Sequence, residues 1–183
     1  EPQALLNASV FFDLTTVYGD ESLLAQVRRR MLEKTKSNSL FIAHLSRNAL
    51  MLKPPLGFFR DFVLVSHGDN AKTLDLKHNG MTPIVDLARI YALSLGCEEV
   101  NTIKRLRAVA GTQYLSESSA LNLKDAFEFL GHLRLQHQAV QMAKGKKPDN
   151  FMPPKAISRL EREHLKDAFK VIKTLQNNRQ VTY

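Results

Sequence analysis

The stretch from Thr82 to Gly96 constrains this chain more than any other. Ile84, Val85, Leu87, Ala88, Ile90, Tyr91, Ala92, Leu93 and Leu95 fall all round a helix, and a helix that is apolar all round must be buried. Thr82-Pro83 supplies its start, a capping hydroxyl followed by proline at the first helical position. Gly96 supplies its stop. The fold expected around it is a bundle of the helices beginning near Pro83, Asn101, Ser116 and Ser158. Its charges, Asp86 and Arg89, lie three apart. Charged groups so placed are normally paired, which predicts an Asp86–Arg89 pair or a bond from either to the next helix.

The flanking sequence supplies further helices. Asp20 is an N-cap with Glu21 favourable in the first turn, opening a helix to about Lys36 with Leu23, Leu24, Val27, Met31 and Leu32 at helical spacing. A second helix follows Ser37 or Asn38, carries Leu40, Phe41, Ala43, Leu45 and Leu50, and is closed by Pro54-Pro55. A short helix follows Asn101, and a long one runs from about Ser116 to Lys144. A last one starts at Ser158, where Ser158 and Glu161 form a capping box. Between the last two, Gly145 to Pro154 holds three prolines and is a loop. Two segments have strand composition. Residues 8–14 (Ala-Ser-Val-Phe-Phe-Asp-Leu) predict an edge strand ending in the turn at Val17-Tyr18-Gly19-Asp20. Within the segment from Phe58 to Lys77, Phe62–Val65 and Thr73–Leu76 flank His67-Gly68-Asp69-Asn70 and predict a small β-hairpin. The peptide Leu-Lys-Asp-Ala-Phe occurs at 123–127 and again at 165–169; two copies are too few for a solenoid, and they predict two helices sharing one packing solution.

Composition excludes several classes. The chain has 183 residues, about one domain's worth, with 44% hydrophobic and 24% charged residues, which is globular and not disordered. No apolar run approaches the roughly 20 residues of a membrane span. The start, EPQALLNASVFFD, lacks the pattern of a signal peptide and an initiator Met, and is expected to belong to a longer protein. The single cysteine, Cys97, forms no internal disulfide and fits a reducing cytoplasm. The net charge of +8 suits an anionic partner, a nucleotide or an acidic protein. Its dense spots are Arg28–Arg30 and Lys144–Lys147; Arg28–Arg30, in a helical pattern close to Glu21 and Glu33, are expected to be a solvated face. With no reading module, no Trp and no interleaved aromatics, specific nucleic-acid binding is not expected.

Polar residues that interrupt apolar stripes carry the remaining information. On the long helix Leu123, Phe127 and Leu130 form a stripe that continues into Arg134, His137 and Gln141. Either the helix outruns its neighbours and this end is solvated, or this half lines a cleft facing an anionic ligand, with Arg134 as a phosphate fork. Asn101, Arg105 and Arg107 begin the helix after Gly96; they are either an N-cap with a solvated basic face or an anion site at a helix N-terminus. The histidines are isolated or, like His132 and His137, five apart on different faces. They suggest no metal site, and serine-nucleophile and Gly-rich phosphate-loop signatures are missing.

The segments FFDL..VYGD, LSRNAL..KPPLGFF.DFVL, TLDLK..G, PIVDLAR.YAL, NT..RLRA, LKDAFEFL..LRLQHQ and LEREHLKDAF together resemble the nucleotidyltransferase substrate-binding domain family. In bacteria this domain follows a nucleotidyltransferase module, often with CBS pairs and a cyclic-nucleotide-binding-like domain upstream, in signalling proteins. That module resembles the uridylyltransferases of PII proteins, whose Gly-Ser…Asp-x-Asp element and a third carboxylate on a later strand hold magnesium. The resemblance implies that residues 1–19 are the C-terminal remnant of the catalytic module and 20–183 the helical domain. It implies that Asp13 matches the third metal carboxylate, although Thr15-Thr16 replaces the family's Arg-Pro. It also places Arg134 and His137 on the helix facing the catalytic cleft.

The expectation is therefore a mainly α protein: a helical bundle with a small hairpin and an N-terminal edge strand from a truncated module. Its expected function is substrate binding within a cytoplasmic, magnesium-dependent nucleotidyltransferase that uses a nucleoside triphosphate and a protein or small-molecule acceptor. By itself it is expected to be inactive and to hold no magnesium. Arg134, His137, Arg89, Asn101 and Arg105 are the candidate substrate-binding residues and Asp13 the candidate metal ligand. The alternative is a regulatory module that binds a partner protein.

Overall fold

A computed structural model of the chain describes residues 8–36, 38–57, 59 and 61–180, with side chains to residue 178. The protein is mainly α. It divides into two compact units, one taking in the described residues up to Met51 with Val85–Leu121, the other Leu52–Ile84 with Asn122–Asn178.

In the first unit, α1 (Glu21–Lys36) starts where Asp20 accepts the Ser22 N–H at 2.8 Å. Helix α2 (Ser39–Ala49) starts where the Asn38 side chain accepts the Phe41 N–H at 2.9 Å. Ser37, the other expected cap, lies outside the described residues. Helix α3 (Thr82–Leu95) is the apolar one, and from Val85 on it belongs to this unit. It ends in a Schellman turn: Gly96 adopts φ 77°, and the Gly96 and Cys97 N–H groups bond the carbonyls of Leu93 and Ala92. Leu32, Ile42, Leu45, Ala49, Ile90 and Leu93 form a core cluster, with Phe12 and Phe41 packed against it and against each other at 5.9 Å between ring centres. Burying each large side chain here stabilises by roughly 1.5–3 kcal/mol. Helix α4 (Thr102–Val109) is short and buries Arg105, Leu106 and Val109.

The second unit is built on α5 (Glu117–Ala143), which lies in it from Asn122 on, and α6 (Arg159–Gln180). The Ser158–Glu161 capping box forms as expected, through bonds of 2.7 and 3.1 Å. The repeated Leu-Lys-Asp-Ala-Phe is used alike up to its last residue. Leu123 and Leu165 are fully buried, as are Ala126 and Ala168 nearly so, but Phe169 is buried and Phe127 only half so. Phe169 meets Phe62 edge-on at 6.2 Å, and α6 holds the Leu52–Leu56 turn through Lys173 and Gln176 on the carbonyls of Leu56 and Leu52.

Three expected elements differ. Residues 8–11 are helical, not a strand, and Phe12 and Asp13 turn back onto the carbonyls of Ser9 and Val10. The composition is strand-like, but a strand needs a ladder partner, and the Phe12 carbonyl is instead taken by Arg105 at 2.8 Å. The hairpin closes only as a turn: Val65 exchanges backbone bonds with Lys72 and Thr73. Strand β1 (Leu74–Asp75) pairs antiparallel not with Phe62–Val65 but with β2 (Phe151–Met152), Leu74 opposite Met152; Phe62 bridges to Leu56, and Phe58 lies outside the described residues. Finally, Thr82 does not cap α3. A π-helical turn, Leu76–Met81, precedes it, capped by Asp75, which accepts from Lys77 and His78. An α-helix continued back through Pro83 would lose a donor and clash with the carbonyl four residues earlier; the wide turn occupies that place.

Candidate functional site

Two polar clusters interrupt the apolar packing, one in each unit. In the first, Asp13 receives two guanidinium groups. Arg89 donates to it from Nη2 at 2.5 Å and to Asp86 from Nη1 at 2.7 Å, so the expected Asp86–Arg89 pair exists and is extended. Arg105 donates to Asp13 Oδ1 at 2.7 Å, to the Phe12 carbonyl at 2.8 Å and to the Glu99 carbonyl at 2.7 Å. Every nitrogen of this 2%-exposed side chain is therefore used, so Arg105 belongs to no solvated basic face, whereas Arg107 is exposed.

The electrostatics follow from this geometry. Burial works to raise the Asp13 carboxyl, but hydrogen bonds and charge from Arg89, then Arg105, hold it below its ordinary 3.8. Asp86 goes the other way: burial raises it, and Arg89 offsets only part of that. Burial lowers Arg105 despite Asp13, while the two carboxylates keep Arg89 raised against its burial; both guanidinium groups stay charged. A divalent cation at Asp13 would face two guanidinium charges and displace their bonds, so the residues present do not fit a metal ion. Among the described residues no group of three or more His, Cys, Asp or Glu side chains is arranged to hold one. Asn101 caps α4, accepting from the Ile103 and Lys104 N–H groups at 3.0 and 3.2 Å, the donors an anion at that helix end would need.

In the second unit the polar half of α5 grips the loop before β2. Arg134 Nε donates to Asn150 Oδ1 at 2.6 Å, and Gln138 reaches the same oxygen at 3.3 Å. Gln141 and Asp149 bond twice, at 2.8 and 2.9 Å, and His137 Nε2 lies 3.2 Å from Asp149 Oδ1. Burial tends to raise the Asp149 carboxyl, but the Phe151 N–H, Gln141 and His137 bring it below 3.8. The end of α5 is thus neither bare nor simply solvated. His137 also lines an open cleft of about 110 Å³ with a buried floor of Leu133, Met152 and Ile157 and a rim carrying Gln136 and Glu161. Arg134 is not part of that lining.

The structure therefore brings Asp13, Arg89 and Arg105 together, leaves Asn101 as a cap, and sets Arg134 and His137 on one loop clamp. Sequence reasoning missed Asp149, Asn150 and Gln138. The signal was the polar stripe itself, which needed partners, and the nearest turn-forming polar residues were Asp149 and Asn150 in the proline-bounded loop.

The protein is thus mainly α, with two buried, ion-paired arginines in one unit and a polar-rimmed cleft in the other. Residues 39–183 match the model of the family described as "putative nucleotidyltransferase substrate binding domain", and the chain belongs to that family. No curated protein and no solved structure matched it. No described helix is long and apolar enough to cross a membrane.

Proposed function

We propose that this chain positions the acceptor for a bacterial nucleotidyltransferase whose catalytic module, with its magnesium, is separate from the helical domain. That module would move a nucleotidyl group, uridylyl by the family resemblance, from a nucleoside triphosphate to a hydroxyl on a protein or small molecule. Residues 1–19 would be the segment that joins the two; residues 1–7 lie outside the described residues. The observation that carries the reading is His137 lining a cleft, on a ring oriented by Asp149, within a chain of this family. Of the other candidates, Arg89 and Arg105 serve by tying Asp13 down, Asn101 by capping α4, and Arg134 by gripping Asn150 while its terminal nitrogens take no bond among the described residues. The domain's contribution would be positioning, which lowers a barrier by fixing reactant geometry.

The test uses the full-length protein with labelled nucleoside triphosphates and a soluble extract of its own cells. Deleting the matched domain should abolish label transfer to the acceptor while nucleotide binding by the catalytic module persists. Undiminished transfer would overturn the reading. A regulatory docking role is favoured by one observation: Val17 and Tyr18 are 96% and 99% exposed, and Val10 and Phe11 in the same stretch of sequence are exposed as well. On that reading the deletion would change regulation of transfer and leave transfer itself intact.

A further inference from the structure

The cleft of the second unit has a chemistry that selects its occupant. Its floor, Leu133, Met152 and Ile157, is apolar and buried. Its rim carries the Gln136 amide, the His137 ring and the Glu161 carboxylate, of which the carboxylate only accepts. His137 Nε2 faces the Asp149 carboxylate at 3.2 Å, and an ionised carboxylate only accepts, so Nε2 carries the proton of this bond and Nδ1 is the ring nitrogen left for another partner. Asp149 cannot swing away, because the Phe151 N–H and Gln141 hold it at 2.8 Å each. Among the described residues nothing bonds Nδ1, although the His137 side chain is only 13% exposed. Glu161 commits Oε2 to the Ser158 N–H at 2.7 Å.

An anion is the wrong occupant, because the Glu161 carboxylate lies on the rim and the Asp149 carboxylate lies behind the imidazole. Backbone and side-chain bonds from Ser158 keep Glu161 below its ordinary 4.5, so it is charged at neutral pH. The space, about 110 Å³, is smaller than the apolar cavity of about 150 Å³ that encloses benzene, but it is open to solvent, so a ring can seat on its floor with one edge in water.

We propose that this cleft is a recognition site for a neutral hydroxyl compound with an apolar body, an alcohol or phenol whose hydroxyl, able both to donate and to accept, bonds His137 Nδ1 while its body covers Met152 and Ile157. Resting on the acceptor-positioning reading, this names the acceptor class: a hydroxyl on a hydrophobic group, not a phosphate or a sugar.

The experiment titrates the full 183-residue chain with 4-methylphenol, toluene and phenyl phosphate, following the methyl resonances of Met152 and Ile157 and the His137 ring by NMR. The expected result is saturable binding of 4-methylphenol, about three- to tenfold tighter than toluene, the worth of one neutral hydrogen bond, with phenyl phosphate weakest. In His137→Phe, checked for native methyl dispersion, 4-methylphenol should fall to the affinity of toluene. If that variant does not fold, the wild-type order of the three ligands decides. No shift at Met152 and Ile157, equal binding of toluene, or preference for phenyl phosphate would each overturn the proposal. The assay needs no catalysis, so its failure is separable from failure of the acceptor-positioning reading, which rests on label transfer.

Discussion

Asp13 and Arg105 lie 92 residues apart in the chain, yet Oδ1 of one accepts from Nη1 of the other at 2.7 Å. Arg89 completes the arrangement from the opposite carboxylate oxygen. The segment that precedes α1 is thereby fastened to α3 and α4 through one side chain. Asp13→Asn keeps the shape and removes the charge, leaving two buried guanidinium groups facing an amide. Breaking a buried pair costs about 3–5 kcal/mol. Asp13 itself is 36% exposed, and solvent screening should reduce this to about 1–3 kcal/mol. Chemical denaturation measures it; a loss below about 0.5 kcal/mol would show that the latch contributes nothing.

The same carboxylate gives a pH signature. The Asp13 pKa is lower in the folded chain than its ordinary 3.8, so its contribution is fully present above 3.8 and is lost as pH falls through the folded value. Asp86 is raised, so it has the opposite sign: its contribution is full below 3.8 and is lost as pH rises through its folded value. The stability difference between wild type and Asp13→Asn should therefore be constant near neutrality and shrink at pH values well below 3.8. A difference that stays constant into that acid range would show that the interaction does not depend on the Asp13 charge.

Gly80 sits in the π-helical turn before α3, and a Cβ placed there would come within 3.3 Å of Leu130 Cδ2 and 3.6 Å of Phe169 Cε1. Both neighbours are fully buried and have little room to yield. Gly80→Ala should destabilise by about 1 kcal/mol, overpacking outweighing the smaller entropy gain from losing a glycine. A stabilised variant would mean that the turn relaxes more easily than its packing suggests.

Elements fixed by local signals were legible in the sequence. Asp20, Asn38, Asn101 and the Ser158–Glu161 box cap where their spacing places them, because a cap is satisfied within three residues of itself. The Asp86–Arg89 pair was legible for the same reason. Residues 8–14 and the β1 partner were not, because pairing is decided by distant chain: Phe12 loses its ladder role to Arg105, and Leu74 finds Met152. The site shows the same division. That Arg134 and His137 break an apolar stripe is visible in the sequence; that Asn150 and Asp149 answer them depends on how the loop folds back.

Arg134 is the residue on which two roles can be separated. Its Nε bonds Asn150 Oδ1 at 2.6 Å, and the Asn150 carbonyl in turn accepts the Leu76 N–H at 3.0 Å, so the contact steadies the loop beside the small sheet. Arg134→Ala should cost about 0.5–1.5 kcal/mol, a single neutral-acceptor bond, and speed hydrogen exchange at the Leu76 amide. Asn150→Ala removes the same bond from the other side but leaves the guanidinium in place. If Arg134 only grips the loop, the two variants should match in the activity of the full-length enzyme, and Asn150→Ala, which also loses the Gln138 contact at 3.3 Å, should be at least as destabilising as Arg134→Ala. If its terminal nitrogens also touch a substrate phosphate, Arg134→Ala alone should lose a further one to two orders of magnitude in rate, the worth of a charge-assisted contact of roughly 1.5–3 kcal/mol. Equal activity in the two variants would therefore confine Arg134 to the clamp and leave His137 as the residue of α5 that meets the acceptor.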